Sequence, residues 1–168
     1  YNFVYPTITS AAYVYTEKTS IADAELYTVD PNDGLNPILK YDGTVKTPTF
    51  RVTLNDKTLV ADTDYTLSGE LTGTNAGNYT VTITGKGDYT GTATGKWTIT
   101  NASAANWTCT TTPATLTYTG NSLSPDITVK DGSTEIPPTE YTIDGVTEAT
   151  DAGTYTFTIT PSANYSET

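Results

Sequence analysis

The sequence predicts an all-β chain: two tandem β-sandwich modules with an additional N-terminal β segment. Three observations predict it. About a quarter of the 168 residues are Thr and 13 are Tyr, a β-branched and aromatic composition suited to half-buried pleated strands. Residues 75–100, NAGNYTVTITGKGDYTGTATGKWTIT, and residues 151–168, DAGTYTFTITPSANYSET, follow one pattern. Turn residues separate short alternating runs at roughly the 8–12-residue spacing of a small sandwich. No window carries a helical period, and a β-grasp sheet, the alternative, would need a helix that the pattern does not supply.

Laid on itself, the chain matches Tyr41-Asp42-Gly43 to Tyr118-Thr119-Gly120, Pro48 to Pro125, Phe50 to Ile127 and Val52 to Val129. The register then slips by one residue, a change the sequence places near Thr53 or Leu54. Beyond it Asp64-Tyr65-Thr66 matches Glu140-Tyr141-Thr142, and Ala76-Gly77 matches Ala152-Gly153. Tyr79, Val81, Ile83 and Tyr89 match Tyr155, Phe157, Ile159 and Tyr165. A period of about 76 residues is long enough for each copy to own a core. The boundaries that follow are 1–29 for an N-terminal strand segment or the end of a preceding repeat, 30–101 for the first repeat, and 102–168 for the second.

In chain order, YNFVYP at the start echoes YTFTITP, with Tyr1 and Phe3 standing for Tyr155 and Phe157, and the likeness then fails. Asp30-Pro31-Asn32-Asp33-Gly34 is a turn-rich junction. Asn55-Asp56 and Asp131-Gly132 suit two-residue hairpin turns that need positive φ. Tyr79, Val81 and Ile83 alternate with Thr80, Thr82 and Thr84, a strict period of two; Tyr155, Phe157 and Ile159 repeat it. Trp97 and Ile99 share one strand face and read as core. Trp107 shares a face with Cys109 in NWTCT, which predicts a packed indole and a buried thiol.

The second copy stops three residues after Tyr165, short of any counterpart to Trp97 and Ile99. The second repeat is therefore expected to lack its last strand. Residues 1–16, YNFVYPTITSAAYVYT, are rich in strand formers, and are expected to supply that strand to a neighbouring copy, head to tail. Closure in cis by further residues is the other way to complete it. With no Met at position 1, the sequence reads as a mature product or a fragment.

Composition also limits the chemistry. The net charge of −11 disfavours nucleic acid as a partner, and no apolar run approaches the length of a membrane span. One Cys and no His exclude a disulfide within the chain and an ordinary Zn²⁺ site. Without His, a Ser or Cys nucleophile lacks its usual base, so no catalytic residue is assigned and no enzyme is expected. Asp30, Asn32 and Asp33 are weak candidates for Ca²⁺, because the EF-hand spacing and its closing Glu are missing. Trp97 and Trp107 are the weak candidates for a sugar-stacking platform.

The segments YDGTVKTPTF, DTDYTLSG and NAGNYTVTITGKGDYTGTATGKWTI closely resemble the MBG/YDG-type repeats of Gram-positive surface proteins. The running pattern is Y-D/N-G, Pro, D-Y-T, N-A-G, T-G-x-G-x-Y-x-G and a final aromatic-x-Ile strand. Residues 37–100 follow it well and 114–165 more loosely, with TPSANYS in place of TGKGDYT and Glu140 in place of Asp64. The resemblance implies an extracellular, Ig-like stalk or display repeat and names no ligand. The expectation is a non-catalytic spacer or structural segment of a bacterial cell-surface or filament protein, with other repeats or identical subunits as partners. A carbohydrate-binding or adhesin module and a virion or surface-layer decoration domain are the alternatives.

Overall fold

The structure, a computed structural model, describes residues 16–30 and 34–167. It is β throughout the described residues, apart from a three-residue 3-10 turn at Pro138–Glu140.

The first repeat faces two four-stranded sheets toward each other. One sheet runs Gly34–Leu35, Glu25–Asp30, Thr49–Leu54, Lys57–Thr58; the other runs Leu39–Lys40, Thr92–Thr100, Gly77–Gly85, Tyr65–Gly69. Alternation decides which side chains meet. Val81 and Ile83 point inward and are fully buried, whereas Thr80 and Thr84 face water. Ile21, Val52, Leu54, Leu59, Tyr65 and Ile83 fill one end of the space between the sheets; Tyr41, Val81, Trp97 and Ile99 fill the other. The packing is sandwich-like, with Leu26 against the Thr92–Thr100 strand. Gly95 is required there, because a Cβ at that position would run into the Leu26 side chain.

The N-terminal boundary differs from the expectation. Glu25–Asp30, assigned by sequence to a separate segment ending at 29, pairs antiparallel with Thr49–Leu54, Leu26 opposite Val52. Its counterpart in the second repeat is Trp107–Thr112, where Cys109 lies opposite Val129. Just ahead of each, Thr19–Ser20 pairs in parallel with Tyr89–Thr90, and Ala102–Ser103 with Tyr165–Ser166. The two stretches share hydrogen bonding but almost no side chains, so a comparison of letters misses the match.

The register slip also moves. Leu54 pairs with Lys57 around Asn55-Asp56, and Asp131 pairs with Thr134 around Gly132-Ser133. Both Asn55 and Asp56 have positive φ, as the expected turn demands. The counterpart of that turn is thus Gly132-Ser133, not Asp131-Gly132. Leu59 N–H donates to the Val52 carbonyl and Ile136 N–H to the Val129 carbonyl, each at 2.9 Å, so both repeats are still in step there. The residue is lost in the following loop, VADTD against PPTE. A loop absorbs a one-residue change that would flip every side chain of a strand.

The second repeat has a thinner core. Val129, Ile136 and Tyr141 are buried, with Trp107 and Ile159 packed against them. Tyr141–Gly145 pairs with Phe157–Pro161, in the register of Tyr65–Gly69 with the end of Gly77–Gly85. Tyr155 and Thr156 were expected to be strand but lie outside it. In the first repeat the equivalent Tyr79 and Thr80 pair with Trp97 and Lys96; among the described residues no strand takes that place beside 155–156.

The two repeats meet at a joint. Tyr41, buried to 6 % exposure, donates its hydroxyl proton to Glu140 Oε1 at 2.6 Å, and the edge of the Tyr165 ring lies against it at 5.4 Å. Asn164 Oδ1 accepts from Ala76 N–H at 2.9 Å, and Asn101 Nδ2 donates to the Ala163 carbonyl at 2.6 Å. Donation to Glu140, with burial, pushes the Tyr41 phenol up to about 12 from 10.0, and the same bond holds Glu140 below its usual value of 4.5. A raised phenol stabilises the joint fully below pH 10.0, and that contribution is lost as pH rises toward about 12. The depressed carboxylate contributes above pH 4.5, and its share is lost as pH falls through its lowered value. Thermal stability of wild type is expected to fall on both sides of this window. Tyr41→Phe should shrink the alkaline limb, to which the Tyr65 and Tyr165 phenols, also raised, contribute. An alkaline limb unchanged in the Phe variant would assign it to other groups.

Candidate functional site

A cleft of about 490 Å³ lies in the second repeat. It is bordered by Leu116, Tyr118, Leu123, Val146, Tyr155 and Phe157. A smaller hollow of about 260 Å³ continues the second repeat's unfilled interior beside Trp107, Cys109, Val129 and Ile159. In the first repeat the Thr92–Thr100 strand occupies the corresponding place. Tyr79 stacks on Trp97 there, centroids 4.4 Å apart and planes at 19°. Its counterpart Tyr155 keeps the same hydroxyl bond, to the Asp151 carbonyl as Tyr79 bonds that of Asn75, yet it is 44 % exposed. Among the described residues no ring stacks on Tyr155 as Trp97 does on Tyr79.

Cys109 corrects the sequence reading in the same way. It was expected to be buried and is exposed. It occupies the place of Leu26, opposite the buried Val129, but no strand lies over it among the described residues. Partial desolvation raises its thiol pKa, which reduces the thiolate fraction but does not block access. A small thiol reagent is expected to label Cys109 in the dilute native monomer without denaturant. Labelling that begins only on unfolding would mean that the groove is occupied.

Neither tryptophan offers a free sugar platform. Trp97 is 3 % exposed, with one face on Tyr79 and its Nε1–H donated to the Glu70 carbonyl at 2.7 Å. Its expected role in the core stands. Trp107 is half-buried, set edge-on to Tyr165 at 4.7 Å and to Tyr141 at 6.4 Å. Its indole N–H is buried with no hydrogen-bond partner among the described residues, a cost of about 1–3 kcal/mol for such a donor. The Ca²⁺ candidates Asn32 and Asp33 lie outside the described residues, and Asp30 is in a strand opposite Gly34. Among the described residues no three His, Cys, Asp or Glu side chains gather as a metal site.

Sequence reasoning did not single out Tyr118, 62 % exposed at the cleft's rim, or the Tyr41–Glu140 contact. The repeat match of Tyr118 to Tyr41 was the signal for the first. No family model matches the chain, and no curated protein or solved structure does either.

Proposed function

We propose that the chain is a non-catalytic structural segment of a bacterial cell-surface or extracellular filament protein. In this reading it is two tandem Ig-like modules of the MBG/YDG type that assemble head to tail by strand donation. The observation that carries it is the groove over Cys109 and Phe157, at the site that Thr92–Thr100 covers in the first repeat.

The strand that fills such a groove needs a small residue, an aromatic and an apolar residue at alternate positions, as Gly95, Trp97 and Ile99 provide. Residues 11–16, AAYVYT, offer Ala11, Tyr13 and Tyr15 on one face, followed by Thr16 where the first repeat has Thr100. Volumes agree as well: Ala11 adds a methyl where Gly95 has none, and Cys109 is smaller than the Leu26 it replaces. Each segment also runs, within one or two residues, into the short parallel strand that opens a repeat. Residues 1–15 themselves lie outside the described residues.

Deleting residues 1–16 tests the proposal. Wild type should associate with rising concentration and protect Cys109 from labelling, while the deletion variant should stay monomeric and reactive. Equal association of the two proteins would refute strand donation. The glycan-binding alternative draws on the exposed Tyr118 and Tyr155 rings at the groove. Quenching of tyrosine emission by a soluble glucan, with no self-association, would favour it.

A further inference from the structure

We infer that a second copy of this chain docks on the Tyr118 end of the second repeat through its Asp64–Asp88 end, reproducing between molecules the joint that links the two repeats within one. This rests on the head-to-tail reading above and adds the surface that aligns the copies.

The internal joint sets the pattern. Tyr41 and the Asn75-Ala76 turn of the first repeat meet Glu140 and Asn164 of the second, and Ser162 donates to Glu140 beside them. Every one of these positions recurs at the end of a repeat that faces away from this joint. On the far end, Tyr118 stands for Tyr41 and Asp151-Ala152 for Asn75-Ala76. On the near end, Asp64 stands for Glu140, Lys86 for Ser162 and Asp88 for Asn164.

The backbone makes these equivalences structural. Gly43 and Gly120 adopt φ of 77° and 78°. Lys46 bridges Gly73 as Leu123 bridges Ala149. Lys86 N–H donates to the Asp64 carbonyl and Ser162 N–H to that of Glu140, both at 2.8 Å. Yet the two tyrosines differ in exposure, 62 % for Tyr118 against 6 % for Tyr41. Tyr41 has a carboxylate and a ring over it; among the described residues no ring packs on Tyr118.

A second copy presents what is missing. Set as the second repeat sets on the first, its Asp64 carboxylate accepts from the Tyr118 hydroxyl and its Asp88 carboxylate from Ala152 N–H. The contact joins two different surfaces, so it does not close on a twofold axis and propagates as a filament or ring.

One substitution distinguishes this outer joint from the inner one. Asn164 Nδ2 donates to Asn75 Oδ1 at 3.3 Å inside the chain; between copies the same pair is Asp88 and Asp151, two carboxylates that repel. Lys57 and Lys86, on the same end as Asp88, reduce the repulsion without removing it. The outer joint is therefore weaker than the inner one at neutral pH and strengthens with salt.

Association constants from sedimentation equilibrium test the inference with the whole chain. Tyr118→Ala, at an exposed site, should leave the unfolding midpoint of the monomer unchanged and weaken association about tenfold or more. Asp88→Asn should strengthen it, by restoring the amide of the inner joint. Association unaffected by both variants overturns the joint, and so does a wild type that stays monomeric at every concentration. The two readings fail separately. Loss of association on deleting 1–16 with no effect of Tyr118→Ala keeps strand donation and rejects the joint; the opposite pair of results keeps the joint and rejects donation.

Discussion

Replacing Trp97 with Ala should destabilise the first repeat by about 3–5 kcal/mol, the range for truncating a buried aromatic ring. Three losses act together. The indole leaves the Tyr79 face, 4.4 Å away, and the edge of Phe50 at 6.3 Å. The Glu70 carbonyl loses its 2.7 Å donor, worth about 1 kcal/mol net. A void opens between the sheets beside Val81 and Ile99, which are fully or almost fully buried and rigidly held by their own strands. Chemical denaturation followed by circular dichroism measures the effect. Tyr155→Ala is the paired control: in the monomer its ring is 44 % exposed, so the cost should be below about 1 kcal/mol and should grow once a strand fills the groove. Equal costs for Trp97→Ala and Tyr155→Ala would mean that the second repeat is as fully packed as the first.

Tyr165→Ala should lower the stability of the second repeat by about 2–4 kcal/mol and loosen its coupling to the first. The ring stands between two others, edge-on to Trp107 at 4.7 Å and to Tyr41 at 5.4 Å. Removing it uncovers Tyr41 and takes a ring away from Trp107, which packs against the second repeat's buried Val129, Ile136 and Tyr141. Amide hydrogen exchange locates the result. Protection over 141–161 should fall most and that over 77–100 less, because Tyr165 packs against the first repeat's Tyr41 cluster while that repeat's other cluster keeps its own contacts. A uniform loss across both spans would show that the repeats unfold as one cooperative unit.

Much of the fold was legible in the letters because strands write their facing into a period of two. Tyr79, Val81 and Ile83 against Thr80, Thr82 and Thr84 are enough to orient a sheet, and the repeat carries that orientation to Ile159. Trp97 with Ile99 was legible as core for the same reason. Glu25–Asp30 was not, since strand pairing depends on backbone hydrogen bonds that Trp107–Thr112 satisfies with different side chains. The loop deletion was misplaced because aligning residue types cannot distinguish a shortened loop from a shifted strand.

The sequence by itself determined the β class and the internal repeat. It could not determine exposure, since exposure belongs to a residue's neighbours rather than to its own chemistry. Cys109 and Leu26 hold one position in two repeats, as do Tyr118 and Tyr41, yet one of each pair is covered and the other is open. Only the tertiary structure decided which, because burial follows from the strand or repeat that packs on top.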